Sequence, residues 1–105
     1  MNLMVDDSFS VQLTHVDGVA VLALHGELDK ATVPVLEDAV SEALKVDDPL
    51  ALDMAFVTFI DSYGVRLLIQ LHRALHDGVR IQRPSEVVVR MLSVTGLSKL
   101  FLIQS

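Results

Sequence analysis

Residues 50–75, LALDMAFVTFIDSYGVRLLIQLHRAL, are the most informative stretch for the fold. In this stretch a strand-like apolar run passes without a linker into a segment with helical spacing of its apolar residues. Residues 50–60 form an almost unbroken apolar run, which predicts a buried strand. From Ser62 to about His76 the apolar residues recur at three- and four-residue steps, which predicts an amphipathic helix ending near Gly78. A strand that passes directly into a helix is typical of a parallel sheet with helical crossovers.

The segment before this stretch predicts a hairpin, a turn and a helix. Two β-type runs, residues 10–15 and 19–24, flank Asp17-Gly18, a pair that favours a tight hairpin turn. In the second run all residues are apolar, so we expect a central strand covered on both faces. The GELD segment at 26–29 is interpreted as a turn, and Thr32 as the N-cap of the following amphipathic helix.

The segment after it predicts a short strand at 79–82, a third helix at 85–97 capped by Ser85, and a last strand or tail at 99–105. The predicted order is therefore β-β-α-β-α-β-α-β. This order predicts a mixed α/β fold (α+β) with one central sheet, in which mainly parallel strands follow an antiparallel N-terminal hairpin. We expect residues 1–105 to form a single domain.

Composition and charge exclude several kinds of partner. The chain has 8 basic and 14 acidic residues, a net charge of −6, and its arginines are singly spaced, so it lacks the clustered basic face that nucleic acid requires. No apolar run approaches the roughly 18 residues of a membrane-spanning helix. Asp6 and Asp7 stand where a signal peptide would carry basic residues. We therefore expect a soluble, cytoplasmic protein without membrane insertion.

Apolar residues make up 51% of the chain and aromatic residues only 5%. Small domains have a large surface for their volume, so this content predicts either a dense aliphatic core or an exposed apolar docking face. A docking face would allow self-association at high concentration, and we expect a monomer or a weak dimer.

Signatures of catalysis and of metal binding are weak. His72 and His76 stand four apart on one predicted helix, the spacing of two metal ligands, but no third ligand or glutamate base accompanies them. The chain has no cysteine, no GxSxG elbow and no GxxxxGK[ST] phosphate loop. We therefore predict a binding protein with no enzymatic activity, no metal and no cofactor.

Ser62 has two interpretations on these grounds. Serine and aspartate are both favoured N-caps, and a junction between strand and helix needs one, so Ser62 could simply begin the helix. Its hydroxyl could instead accept a phosphate, which would add about −1.5 to −2 charges and abolish a docking contact. The residues alone favour capping.

Three segments of the sequence resemble the STAS domain of bacterial anti-sigma factor antagonists of the SpoIIAA and RsbV type. They are GELD at 26–29, LDMAFVTFIDSYGVRLLIQLHRAL at 52–75 and PSEVVVRMLSVTGLSKLFLI at 84–103. The resemblance implies a STAS fold and partner switching. In that family the unphosphorylated antagonist binds an anti-sigma factor that is also a serine kinase, which frees the sigma factor. Phosphorylation by the kinase breaks the complex, and a PP2C-type phosphatase reverses it.

Carried over by position, the resemblance implies that Ser62 is the phosphoacceptor and Asp61 its family-pattern neighbour. Gly64 is expected to allow close approach of the partner backbone. Asp53, expected to end the preceding strand, and Asp29, in the GELD turn, match positions near the docking surface.

Tyr63 departs from the family pattern, in which serine or threonine is common after the acceptor, and it changes the docking surface by a large amphipathic ring. Thr58 completes the predicted surface. A second interpretation is a STAS subunit of a phospholipid-trafficking transporter or a stress-sensing scaffold. The Asp-Ser-x-Gly pattern favours the antagonist, because a constitutive clamp does not need an acceptor hydroxyl.

Overall fold

The computed structural model describes the backbone of residues 2–6 and 8–104 and the side chains of residues 8–101. All eight predicted elements are present in the predicted order, and one further strand precedes them. The elements are β1 Asn2–Asp6, β2 Phe9–Val16, β3 Val19–Leu28, α1 Val33–Ala43, β4 Leu50–Ile60, α2 Ser62–Ala74, β5 Val79–Gln82, α3 Glu86–Val94 and β6 Leu102–Gln104.

The six strands form one sheet in the order β1-β2-β3-β4-β5-β6. The pairs β1–β2 and β2–β3 are antiparallel, and the remaining three pairs are parallel, each joined by a helix. The predicted hairpin is confirmed: Val16 pairs with Val19, and the φ angles of Asp17 (50°) and Gly18 (75°) suit the tight turn between them.

The core lies between one face of the sheet and the helices. Leu22, Leu24 and Leu52 on the strands are fully buried against residues such as Leu36 of α1 and Leu68 of α2. The alternate residues of β3 are only half-buried, because all three helices contribute their buried residues to this one core. Strand β3 is central as expected, but it is fully covered on one face and only partly covered on the other.

The GELD segment is strand for three of its four residues, so its interpretation as a turn is wrong. Gly26 belongs to β3 and has a φ of 109°, and a Cβ there would lie 2.0 Å from the carbonyl oxygen of Ser8. The amide of Glu27 donates to the same oxygen at 3.0 Å, and Leu28 is fully buried. The chain therefore turns only at Asp29, directly beside the end of β4.

Thr32 holds this turn and does not cap α1 with its side chain. Its buried hydroxyl donates to the carbonyl of Glu27 at 2.7 Å and accepts from the amide of Asp29 at 2.9 Å. The Asp29 carboxylate in turn accepts from the amides of Ala31 (3.0 Å) and Thr32 (3.1 Å). These bonds fix residues 27–32 and thereby the position of Lys30.

Candidate functional site

Asp61 is the N-cap of helix α2. Its backbone is extended (φ −104°, ψ −176°), and its carboxylate Oδ1 accepts from the amide of Gly64 at 2.9 Å. Its carbonyl accepts the first helical bond, from the amide of Val65 at 3.0 Å. The helix therefore begins at Ser62, and the interpretation of Ser62 as the cap is wrong.

The second carboxylate oxygen of Asp61 ties two chain segments together. Oδ2 accepts from the amide of Lys30 at 3.1 Å, and the amide of Asp61 donates to the carbonyl of Leu28 at 3.2 Å. Strands β3 and β4 are parallel neighbours, so their carboxyl ends meet at the same edge of the sheet. Asp61 fixes the turn after β3 against the start of α2.

Ser62 is exposed in the first turn of α2, and within residues 8–101 its hydroxyl has no hydrogen-bond partner. Because Asp61 supplies the cap, the hydroxyl is left free for chemistry with another molecule. The first turn of a helix carries unpaired amide groups and the positive end of the dipole, which favour a phosphate there. The Asp61 carboxylate opposes it.

Tyr63 lies beside this hydroxyl with 43% of its surface exposed. The ammonium group of Lys30 lies 5.4 Å from the centre of the Tyr63 ring, a cation–π contact worth about 0.5–1 kcal/mol at an exposed position. The ring thus packs under Lys30 at the surface.

Gly64 is buried, so the prediction that it admits the backbone of a partner is corrected. A Cβ on Gly64 would lie 2.9 Å from the carbonyl oxygen of Leu28 and 2.9 Å from Cγ1 of Ile60. The glycine is required because the first turn of α2 packs directly on the ends of β3 and β4 within the chain.

The second half of β4 carries an exposed apolar surface whose position sequence reasoning did not predict. Strand β5 pairs only with Leu50–Asp53, so β4 runs seven residues beyond it. Phe56 and Phe59 are 55% and 47% exposed, and Thr58 is exposed between them. A shallow apolar groove of about 240 Å³ follows, lined by Phe59, Ile60, Val87, Arg90, Met91 and Val94. The apolar run at 50–60 is much longer than the strand predicted at 79–82, and this difference in length is the sequence signal for the exposed surface.

Asp53 lies in the middle of β4 and does not end it, so that expectation is wrong. It pairs with Gln82 of β5, and its carboxylate binds the guanidinium of Arg83 and the amide of Ala55. The hydrogen bond that Arg83 donates to Asp53, and the negative charge of Asp53, both raise the pKa of the Arg83 guanidinium. Asp53 lies seven residues before Ile60, about 23 Å along the strand. The structure brings Asp29, Thr58, Asp61, Ser62, Tyr63 and Gly64 to one edge of the sheet and leaves Asp53 apart.

A protein-family model described as "Mlab, STAS domain" matches residues 11–104. The chain belongs to the STAS-domain family. This STAS domain is 33% identical over 99 residues to the anti-sigma-F factor antagonist RsfB of Mycobacterium tuberculosis, an alignment that covers 90% of this chain and 80% of that protein. The resemblance deduced from the sequence motifs is confirmed.

Solved structures agree with this assignment. The STAS domain superimposes on the crystal structure of an anti-sigma factor antagonist from Mycobacterium paratuberculosis with a TM-score of 0.84 and 30% identity, over 97% of this chain and 90% of the other. The phosphorylated form of the Bacillus cell fate determinant SpoIIAA matches with a TM-score of 0.66 and 25% identity, over 90% and 91% of the two chains.

His72 has structural contacts, and His76 lies beyond the end of α2 at Ala74, so the expectation of two histidines on one helix is wrong. His72 Nδ1 accepts from the amide of Val79 at 3.1 Å, and its ring packs edge-on against Phe101 at 5.0 Å. Among the side chains that the structure describes, no group of three or more His, Cys, Asp or Glu residues could hold a metal ion.

No helix in the described part of this STAS domain is long and apolar enough to cross a membrane.

Proposed function

We propose that this STAS domain is an anti-sigma factor antagonist that binds an anti-sigma factor while Ser62 carries a free hydroxyl and releases it when Ser62 is phosphorylated. One observation carries the proposal. Asp61 caps α2, which leaves the Ser62 hydroxyl exposed and without a partner among the described side chains. The names of the relatives, anti-sigma factor antagonists in both sequence and structure, support the same role.

The surroundings of Ser62 explain how a phosphate would break a complex. Tyr63 and Phe59 flank the hydroxyl in sequence and are exposed, as aromatic anchors of an interface are. A phosphoryl group would add about −1.5 to −2 charges beside these rings, and removing that charge from water in an interface costs several kcal/mol. The first turn of α2 tolerates a phosphate through its free amides. Binding is therefore lost while the fold is kept.

In this function the chain supplies the acceptor and the docking surface. We propose that the bound anti-sigma factor is itself the serine kinase and that a PP2C-type phosphatase restores the hydroxyl. Catalysis belongs to these two partners, and the chain needs neither metal nor cofactor for its part.

The test begins with the serine-kinase-type anti-sigma factors encoded in the same genome. Each is purified and titrated with the wild-type chain by calorimetry, and the one that binds is then incubated with the chain and ATP. We expect one added phosphate, located on Ser62 by mass spectrometry, and none on Ser62→Ala, which should still bind. Phosphate on Thr58 or Tyr63, or equal modification of Ser62→Ala, contradicts the assignment.

A transporter subunit is the second candidate, because the matching family description carries the name Mlab. Such a subunit would bind its ATPase constitutively, so Ser62→Glu should leave that binding unchanged. The antagonist proposal predicts the opposite: Ser62→Glu binds the anti-sigma factor weakly while its circular dichroism spectrum and unfolding midpoint remain those of the wild type.

A further inference from the structure

The outer face of α2 carries positive charge and no negative charge. Residues 62–76 contain Arg66 and Arg73 but no aspartate or glutamate. Both arginines are exposed, and neither forms an ion pair with any residue whose side chain the structure describes. At 3.6 residues per turn, Ser62, Arg66 and Arg73 lie within about 40° of one another around the helix, over about 17 Å of its length.

Three other basic side chains of the protein form ion pairs with carboxylates. Lys45 pairs with Glu42 at 2.9 Å, Arg90 with Glu86 at 3.4 Å, and Arg83 with Asp53. The arginines of α2 therefore differ from these three in having no carboxylate partner among the described residues.

Lys30 extends the positive surface past the start of the helix. Its amide is held by Asp61, and its ammonium group lies over the ring of Tyr63, the residue after Ser62. We call Lys30, Arg66 and Arg73 the basic strip. On a protein with a net charge of −6, this strip is a local field of opposite sign that passes directly beside the Ser62 hydroxyl.

We propose that the basic strip binds an acidic surface of the partner protein, and that a phosphate on Ser62 blocks this binding by pairing with Arg66. The proposal rests on the proposed function for the identity of the partner as an anti-sigma factor. Charge complementarity carries it, because an acidic partner is repelled by the rest of this protein and attracted by the strip, which fixes its orientation on approach. A nucleic acid would be attracted by the same strip but repelled by the negative charge of the surrounding surface.

The helical spacing explains why the phosphate selects Arg66. Side chains at i and i+4 are neighbours on a helix surface, and an acidic group four residues before a basic one is the favourable orientation. A phosphoserine at 62 would reach the Arg66 guanidinium in a charge-assisted, bidentate contact. Arg73 lies almost two helical turns further along and stays out of reach. Phosphorylation thus removes one cation from the strip and adds a dianion to it.

The first experiment measures binding of the anti-sigma factor identified by calorimetry to Arg66→Gln/Arg73→Gln at 50 and 300 mM NaCl. The matched control is Lys45→Gln/Arg80→Gln, which changes the net charge equally but lies away from the strip. At 50 mM NaCl we expect the strip variant to bind about tenfold more weakly than the wild type, and the control to bind within about twofold of it. Raising the salt to 300 mM should weaken binding of the strip variant less than binding of the wild type. Equal affinities of the two variants would overturn the strip and leave the proposed function standing. If the wild-type chain binds none of the anti-sigma factors, the proposed function fails and the strip fails with it.

A second experiment needs no partner. Phosphoserine is encoded genetically at position 62, and the phosphate is titrated by ³¹P NMR in the wild-type background, in Arg66→Gln and in Arg73→Gln. We expect the second pKa of the phosphate to lie about 0.5 lower in the wild type than in Arg66→Gln, with Arg73→Gln unchanged, because only Arg66 favours the dianion. Identical titrations in all three chains would overturn the phosphate contact. Binding of mixed-sequence duplex DNA at 150 mM NaCl that is lost in Arg66→Gln/Arg73→Gln would overturn the protein partner.

Discussion

The carboxylate of Asp61 accepts the amide of Gly64 at 2.9 Å, and this one bond assigns the capping of α2 to the residue before Ser62. Two polar side chains stand at the junction of β4 and α2, and each is used differently. Asp61 is engaged by Gly64 and Lys30. Ser62 is left exposed at the first helical position, where a second protein can reach it.

Asp61→Ala should destabilise the fold and Ser62→Ala should not. Loss of the cap costs about 1–2 kcal/mol of the free energy of unfolding, and loss of the bond to the Lys30 amide adds to it. Asp61→Asn keeps an acceptor oxygen and should lose less. Urea unfolding followed by circular dichroism measures all three. If Ser62→Ala lost as much unfolding free energy as Asp61→Ala, Ser62 rather than Asp61 would be the capping residue.

Gly64→Ala should cost about 2–3 kcal/mol of unfolding free energy, since the new methyl group meets a backbone carbonyl, that of Leu28, at 2.9 Å. The control is Gly96→Ala, where the Cβ would meet nothing within 4 Å and only the left-handed backbone (φ 74°) opposes it. That variant should lose about 1 kcal/mol. Equal losses in thermal and urea unfolding would mean that the packing at Gly64 yields to the methyl group.

Phe59→Ser should weaken binding to the anti-sigma factor about tenfold or more, because the ring flanks the proposed interface. The unfolding free energy should stay within about 1 kcal/mol of the wild type, because about half of the side chain is exposed. Val16→Ser is the matched control: Val16 is 52% exposed, but it lies at the hairpin turn of β2 and β3. The two affinities are compared by calorimetry. A similar loss for both variants would exclude a specific role of Phe59.

Asp53→Asn should leave the affinity for the anti-sigma factor within about twofold of the wild type, because Asp53 lies about 23 Å along β4 from the junction and its carboxylate is engaged by Arg83. A large loss of affinity in a variant that is still folded would extend the docking surface along β4 and restore Asp53 to it.

Local sequence signals predicted the elements of this fold well. The three- and four-residue spacing of Val65, Leu68 and Leu75 predicted α2, and Asp17-Gly18 predicted the hairpin. These features depend on residues close in sequence, so a periodicity or a turn pair is enough to identify them. The position of the candidate site at a strand-to-helix junction follows from the same signals.

The features that sequence reasoning missed depend on contacts between distant residues. Serine and aspartate are equally good caps in isolation, and the bonds that Asp61 accepts from the amides of Gly64 and Lys30 show which residue is engaged. Gly26 was assigned to a turn because its close contact with the Ser8 carbonyl is formed between strands. The exposed rings of Phe56 and Phe59 lie where β4 runs beyond β5, and which residues of the apolar run stay uncovered depends on how the two strands pair.

In the function that we propose, the charge state of Ser62 decides whether the partner is bound. The most direct measurement is the dissociation constant of the anti-sigma factor for the chain with serine at 62 and for the chain with genetically encoded phosphoserine at 62, at one salt concentration. We expect phosphoserine to raise the dissociation constant about 100-fold while both chains unfold at similar urea concentrations. Equal dissociation constants for the two folded chains would contradict it.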